Sequence, residues 1–335
     1  MELEFVDICV GLSWGDEGKG KIVSQLSKEK SYDFVCRWSG GNNAGHTIYV
    51  NGNKFSTHLI PSGVFYGVPS IIGPGCVLNI KAFYEELDYL KENGFDINLV
   101  KVSPKTHIVT DEHIEEDINR YAKKLGTTAK GIGPCYTDKY ARNGIRASDV
   151  ADQLKDHMWD EKLHGKVLCE GAQGFWLDVD YGNYPYVTSS NCLPYSACSL
   201  GFPPQKIRRV YGAAKIYDTR VGVDPDFPDS LDENEELTLI AKTGQEYGTT
   251  TGRFRTVNYL NLDKLITALN ISGTTHLIIS KVDIIEKLDI YKLYHKNTLL
   301  SFDTIDDMLE KIQSSLLEET CILIKMIYSR NPDKI

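Results

Sequence analysis

Two acidic residues and two lysines set among glycines, Gly15-Asp16-Glu17-Gly18-Lys19-Gly20-Lys21, make up the stretch of this chain with the densest chemistry. Glycines let backbone amides close around phosphate oxygens, a helix N-terminus adds partial positive charge, and lysines neutralise a polyanion. An apolar run, Phe5 to Leu12, precedes the stretch, and Ile22, Val23 and Leu26 follow at helical spacing. The expected unit is strand, turn, helix, with a nucleotide phosphate at the turn. The spacing Gly-x4-Gly-Lys fits the first part of a phosphate loop, but Ile22 stands where Ser or Thr would hold Mg2+. The cation then needs another ligand. Asp16, acidic inside a phosphate-facing loop, is the candidate for holding it or for taking a proton.

Four more polar, glycine-rich stretches recur: Ser39 to Thr47, Gly126 to Pro134, Gly171 to Gly174, and Gly248 to Arg255. All five loops are read as following strands, which in an open parallel sheet places them together at the ligand crevice and implies several ligands. His46, beside Asn43 and Gly45, suits an acid or phosphate-donor role. Arg253 and Arg255, among glycine and threonine, suit a carboxylate or phosphate, which guanidinium binds as a fork. Lys281-Val282-Asp283 follows the apolar run His276 to Ser280. There the aspartate can accept from N1 and the 2-amino group of guanine while the lysine stem covers the ring.

Positioning these groups requires alternating strands and helices. Strands are expected at Phe5 to Leu12, Tyr32 to Arg37, Ser70 to Gly73, Val167 to Glu170, Arg209 to Tyr217, His276 to Ser280 and Cys321 to Tyr328. Helix faces are marked by Ile80, Phe83, Leu87 and Leu90, ending near Gly94, and by Ile305, Met308, Leu309, Ile312 and Leu316. The acidic stretch Asp224 to Glu236 reads as an exposed loop. The fold class is α/β: a large, mostly parallel central sheet with helices on both faces, inserted loops and a phosphate-loop-like GTP site. With 335 residues and no repeat or linker, one elaborated domain over 1–335 is expected.

The formal net charge of −9 argues against a nucleic-acid-binding surface. The eight scattered cysteines contain no Cys-x-x-Cys and read as reduced thiols of a cytosolic protein. Neither an export signal nor a membrane span is evident, so a cytoplasmic protein is expected, in the host cytoplasm if phage-encoded.

Trp14 to Lys21, Gly40 to Thr47, Thr127 to Arg142, Glu170 to Gly174, Tyr184 to Asn191, Thr219 to Gly222, Thr249 to Arg255 and Lys281 to Asp283 resemble, in order, the successive motifs of the adenylosuccinate synthetase family. The resemblance spans nearly the whole chain. It implies a ligase that joins L-aspartate to a 6-oxopurine nucleotide using GTP as co-substrate and Mg2+. Asp16 would take the N1 proton and, with the backbone of Gly45, hold the metal. His46 would stabilise the transferring phosphoryl group and Gln173 would hold the base. The GTP site would comprise Gly15, Glu17, Gly18, Lys19, Gly20, Lys21, Gly45, His46, Thr47, Arg255, Lys281, Asp283 and Ser329. The purine nucleotide would meet Asp16, Asn43, Thr127, Thr128, Gln173, Thr188, Val221 and Arg253, with Arg142 reaching across a homodimer interface into the partner's site. Aspartate would be held by Thr249, Thr250, Thr251, Arg253 and Arg255.

The pattern is broken in places. Ser13 replaces a usual glutamine, Cys192-Leu193-Pro194-Tyr195 a threonine- and glycine-rich run, Val257-Asn258 a Gly-Trp pair, and Val223-Asp224-Pro225-Asp226 an Ala-Gly-Pro-Phe. Ser329-Arg330-Asn331-Pro332 stands for Ser-Thr-Gly-Pro, where Asn tolerates the left-handed backbone that Gly supplies. The chain is also shorter than typical bacterial members, as are archaeal enzymes and the phage relatives that convert dGMP toward 2-aminoadenine. A smaller Ser13 leaves room for a 2-amino group and favours dGMP. Retention of Asp16, Lys281 and Asp283 favours IMP, which is the expected substrate. The reading from another class is a GTP-binding module without ligase activity, which would hydrolyse GTP without needing aspartate.

Overall fold

The computed structural model describes residues 2–28, 32–227, 234–248, 252–331 and 334–335. Its centre is an eight-stranded sheet: β1 (Leu3–Gly11), β2 (Phe34–Arg37), β3 (Ser70–Ile72), β4 (Val100–Val102), β5 (Gly165–Glu170), β6 (Ile207–Lys215), β7 (His276–Ser280) and β8 (Lys325–Tyr328), numbered within this sheet alone. Their spatial order is β8-β7-β6-β1-β5-β2-β3-β4, and every neighbouring pair is parallel. Strands from both ends of the chain therefore share one sheet. Alternation along β1 supplies both faces: Val6, Ile8 and Val10 enter one apolar core, while Cys9, with Phe5 packed against it, enters the other. Asp7, buried within the strand, accepts from Tyr32 Oη at 2.7 Å and from Arg208 Nε at 3.0 Å, so its charge is satisfied.

The chain runs from β1 to β2 on one side and later places β5 between them, with β6 on the other flank. That reversal beside β1 opens a crevice at the carboxyl edge of the sheet. In register, Cys9 lies opposite Glu170, and Glu170 opposite Arg37. A second, four-stranded sheet, 217–220, 256–261, 292–295 and 298–301, contributes Arg220 to the crevice wall.

Several expectations are corrected. The single strand Arg209 to Tyr217 is two: β6 ends at Lys215, and Tyr217–Arg220 turns away to pair antiparallel with Thr256–Tyr259. Lys215 interrupts the apolar run at the point where β6 ends, but one lysine among apolar residues is not by itself a turn signal. The closing strand begins at Lys325 because Asn270 pins residues 319–321, donating to the Glu319 carbonyl and accepting from the Cys321 amide. Asp224 is not exposed: it is buried 3.2 Å from Arg220 and accepts from Asn183 Nδ2 at 2.7 Å. Glu235 and Glu236 open a helix, Glu235–Thr243, capped by the Asn234 side chain. The loop 126–134 follows a helical segment, not a strand. So does the segment from Gly248.

The eight cysteines are free thiols, six of them buried. Burial raises the Cys36 and Cys192 thiols, which are protonated at neutral pH. Among the described residues no helix is long and apolar enough to cross a membrane.

Candidate functional site

The first loop turns on three left-handed residues, Gly15 (φ 88°), Asp16 (φ 59°) and Gly18 (φ 97°). Aspartate tolerates this region better than most side chains, and the result is a concave run of amides ahead of the helix Lys19–Lys28. Glu17, 1% exposed, points beneath the loop, where it accepts from the amides of Ser13 (3.1 Å) and Gly15 (2.9 Å) and from Lys19 Nζ (2.6 Å). Gly11 and Gly174 make room for that carboxylate, since a Cβ on either would lie 2.4 Å and 2.3 Å from its oxygens. Burial pulls the Lys19 ammonium down, but Glu17 outweighs it and the lysine stays charged. Both lysines line the cavity and both also have protein partners. Lys19 is already paired with Glu17, and Lys21 Nζ donates to Ser329 Oγ (2.8 Å) and the Asn331 carbonyl (3.1 Å), tying the loop to the C-terminal turn.

Asp16 is 26% exposed and pairs with Arg255, whose Nε and Nη2 lie 3.0 and 2.8 Å from Oδ2. The other side of Arg255 meets Glu246, a fully buried carboxylate that also accepts from Lys215 Nζ (2.8 Å) and Tyr217 Oη (2.7 Å). Burial would raise the Glu246 carboxyl, but Lys215, Arg255 and Lys281 together hold it down at about 2.

His46 begins the hairpin 46–57 and directs Nδ1 to Glu170 at the end of β5. Ser62 supports Glu170 with its amide (2.7 Å) and hydroxyl (3.0 Å). Burial pushes the imidazole below its ordinary value against the pull of Glu170, while His46 and Arg37 keep Glu170 ionised despite its burial. The imidazole is thus oriented by a carboxylate, with its second nitrogen left for another partner. Gln173 (φ 54°) donates to Asn43 Oδ1 at 3.4 Å, and its own Oε1 is buried with no partner among the described residues. Thr127 Oγ1 donates to buried Asp117 (2.7 Å), which also accepts from the Gly131 amide (2.9 Å), fixing the third loop. Arg253 donates to the carbonyls of Gly126 (2.9 Å) and Thr127 (3.3 Å), so two loops distant in sequence meet.

Lys281 (φ 68°) follows β7 and donates to the Gly244 carbonyl at 2.7 Å; Asp283 lies in the first turn of the helix Val282–Leu288. All these loops line one cavity of about 1150 Å³, which includes Thr47, Thr128, Thr188 and Val221 as well as Gly45 and Gly20. Ser329 lies just outside, beneath Lys21. Arg142, at the C-terminus of the helix Ile132–Ala141, is exposed and away from its own chain's cavity wall. Thr249, Thr250 and Thr251 lie outside the described residues. Among the described residues no group of three His, Cys, Asp or Glu side chains forms a metal cluster.

Ser13 is buried and does not line the cavity, and its hydroxyl lies toward Asp218. Glu246 and Lys215 carry no signal in the sequence, and Glu170, which opens the stretch Glu170 to Gly174, has no role assigned to it there. Glu246 meets Lys215 31 positions away.

Asp218 yields a pH prediction. Burial raises its carboxyl to about 7, although the Asn261 amide donates to it at 2.8 Å. A folded value above the unfolded one means that the folded chain binds the extra proton. Stability from this group is then full below about pH 4 and lost as pH rises through about 7. Asp218→Asn should therefore raise the melting temperature relative to wild type at pH 8, with the difference shrinking toward pH 5. Equal differences at both pH values would count against it.

Comparison with known proteins matches residues 8–165 and 154–315 to the family model for adenylosuccinate synthetase. An adenylosuccinate synthetase of Lysinibacillus sphaericus is 39% identical over 345 residues, covering 85% of this chain and 79% of the relative. The fully ligated adenylosuccinate synthetase of Plasmodium falciparum superposes with a TM-score of 0.84 at 28% identity, covering 98% of each chain. The succinoaminodeoxyadenylate synthetase of cyanophage S-2L, solved with dGMP and with dATP as an energy donor, superposes at 0.70 with 19% identity over 94% of this chain and 100% of that one. The last shares the fold alone.

Proposed function

The chain belongs to the adenylosuccinate synthetase family, and from that membership we propose how its cavity joins L-aspartate to C6 of IMP with GTP as phosphoryl donor. It is a GTP-dependent C–N ligase. The observation that carries the residue assignments is the single cavity that brings the phosphate loop, Asp16, His46, Gln173, Arg255 and the Lys281–Asp283 pair together.

The 6-oxo group of a purine is part of a lactam and must become a leaving group before an amine can displace it. Asp16 takes the N1 proton, which moves electron density onto O6 for attack on the γ-phosphorus of GTP, whose bond to the bridging β–γ oxygen breaks as GDP leaves. His46, held by Glu170, stabilises the charge spread over the transferring oxygens. Gln173 holds the base, with Asn43, Thr128 and Thr188 at the 5′-phosphate and Thr127 and Val221 beside them. The aspartate amine then adds at C6, phosphate leaves, and the amine proton is lost. Arg253 and Arg255, with Thr249 to Thr251, hold the aspartate carboxylates. Lys281 and Asp283 take the guanine of GTP, and Lys21 with Ser329 closes that side.

Mg2+ fits the donor set, because this ion binds through one or two carboxylates plus phosphate oxygens and water, without a protein cage. Asp16 and the backbone of Gly45 would hold it, and it would supply charge neutralisation for the phosphates. We read residues 1–335 as one elaborated domain with insertions, working in the cytoplasm on small-molecule substrates and not on nucleic acid. IMP is favoured over dGMP because the chain belongs to the adenylosuccinate synthetase family and retains Asp16, Lys281 and Asp283. A paired turnover assay with GTP, Mg2+ and aspartate, giving IMP to one sample and dGMP to the other, tests this by product mass. Product from dGMP alone would replace IMP as the substrate. GTP hydrolysis without aspartate would favour a binding module over a ligase.

We also propose a homodimer in which Arg142 serves the partner's nucleotide site, which its exposure away from its own cavity supports. Arg142→Leu and Asp16→Ala proteins should each be nearly inactive. Mixed and reassembled one to one, they should regain about a quarter of wild-type activity, since half of the dimers carry one intact site. No recovery would show that the site is built within one chain.

A further inference from the structure

We propose that Glu246 is a positioning residue for this ligase: it holds one side of Arg255 and so sets how strongly that guanidinium competes for Asp16. The inference rests on the reading of Asp16 as the residue that holds Mg2+. Glu246 forms no part of the cavity wall and is fully buried, so it touches no substrate. Its two oxygens nevertheless gather groups from three parts of the chain. One receives Lys215 Nζ at 2.8 Å and Arg255 Nη1; the other receives Tyr217 Oη at 2.7 Å and lies 3.7 Å from Lys281 Nζ. Lys215, Arg255 and Lys281 all line the cavity.

Arg255 therefore lies between two carboxylates of different kinds. Glu246 is buried and immobile, while Asp16 is partly exposed and faces the cavity. Three cations face these two anions. If Glu246 loses its charge, Asp16 becomes the only counter-charge paired with Arg255 among the described residues, and the pair tightens, because a buried guanidinium without a partner is costly. An Asp16 held more firmly by Arg255 is a poorer ligand for a cation arriving with GTP. The backbone does not depend on the Glu246 side chain for this placement: the Arg255 amide donates to the Glu246 carbonyl at 3.0 Å, and Tyr247 bridges Phe254. Glu246→Gln keeps side-chain length and the hydroxyl contact, so the charge is the main variable.

The experiment is calorimetric titration of the full chain with GTP, in EDTA and in excess Mg2+, for wild type and Glu246→Gln, with KM for IMP measured alongside. The gain in GTP affinity that Mg2+ brings should be at least about fivefold smaller in Glu246→Gln, with KM for IMP within about twofold of wild type. An equal Mg2+ gain in both proteins overturns the proposal. So does a rise in KM for IMP as large as the loss in Mg2+ gain, which would mark general loosening. Should Glu246→Gln fail to fold, Tyr217→Phe, which removes one hydrogen bond to the same carboxylate, should lower the Mg2+ gain by a smaller factor, and no change there overturns it. Asp16→Asn separates the two readings. A full Mg2+ gain in that protein removes Asp16 as the metal ligand, whereas a lost gain there with an unchanged one in Glu246→Gln removes only the role of Glu246.

Discussion

Asp16→Asn should lower the rate of phosphoryl transfer by about 10³-fold while GTP affinity measured without Mg2+ stays within about tenfold of wild type. Asn is the informative replacement because Asp16 has φ 59°, which Asn adopts readily and Ala does not. The amides of the phosphate loop are held by Glu17 from below, through Ser13 and Gly15, and that scaffold does not involve the Asp16 side chain. Binding and chemistry are thereby separable at this position. What the amide loses is the capacity to accept the N1 proton, without which O6 is a weak nucleophile. Rapid-quench measurement of phosphate transfer beside equilibrium GTP binding checks it, and a rate within tenfold of wild type would remove Asp16 from the proton transfer.

His46→Gln should lower kcat by about 10²-fold, the typical effect of removing one donor to a developing charge. It should also abolish a pH dependence. In the ligand-free chain, burial holds the imidazole below its ordinary value, so the ring is neutral at pH 7. A triphosphate beside the second ring nitrogen favours the charged form and raises that value. Between the two values, binding takes up a proton. GTP affinity should therefore be flat at high pH, strengthen as pH falls through the liganded value, and level off below the free one. Calorimetry in buffers of different ionisation enthalpy reads the proton uptake directly, and the uptake should vanish in His46→Gln. Uptake that persists in the variant would assign the proton to another group. Glu170 belongs to the same device: it orients Nδ1 and stays ionised beside the ring.

These two residues show how unevenly the site was legible in the chain. Asp16 and His46 sit in local patterns of glycine and amide side chains, and local patterns survive in one dimension. The α/β class was also legible, because a parallel strand covered on both faces reads as a short apolar run followed by helical spacing. Seven of the eight strands lie close to where those runs place them, and Val100–Val102 is an addition that the sequence did not mark. Family membership was readable for a related reason: the chemistry needs particular side chains in a particular order, and the order is in the sequence.

The tertiary structure decided the pairings. Glu17 stands in the phosphate loop by position, yet its carboxylate lies beneath the loop with Lys19, because Gly11 and Gly174 leave room there. Ser13 neighbours the loop in sequence but faces Asp218, away from the cavity. Glu246 meets Lys215 across 31 positions, and Arg255 meets Asp16 across 239. Such contacts carry no sequence signal, since a buried charge is stable only where folding brings its partner, and the partner's position depends on strand order. Sequence by itself determined which chemical groups this protein has and in what local settings; which charge neutralises which, and so which groups are left facing the substrates, was decided when the sheet brought its carboxyl edge together.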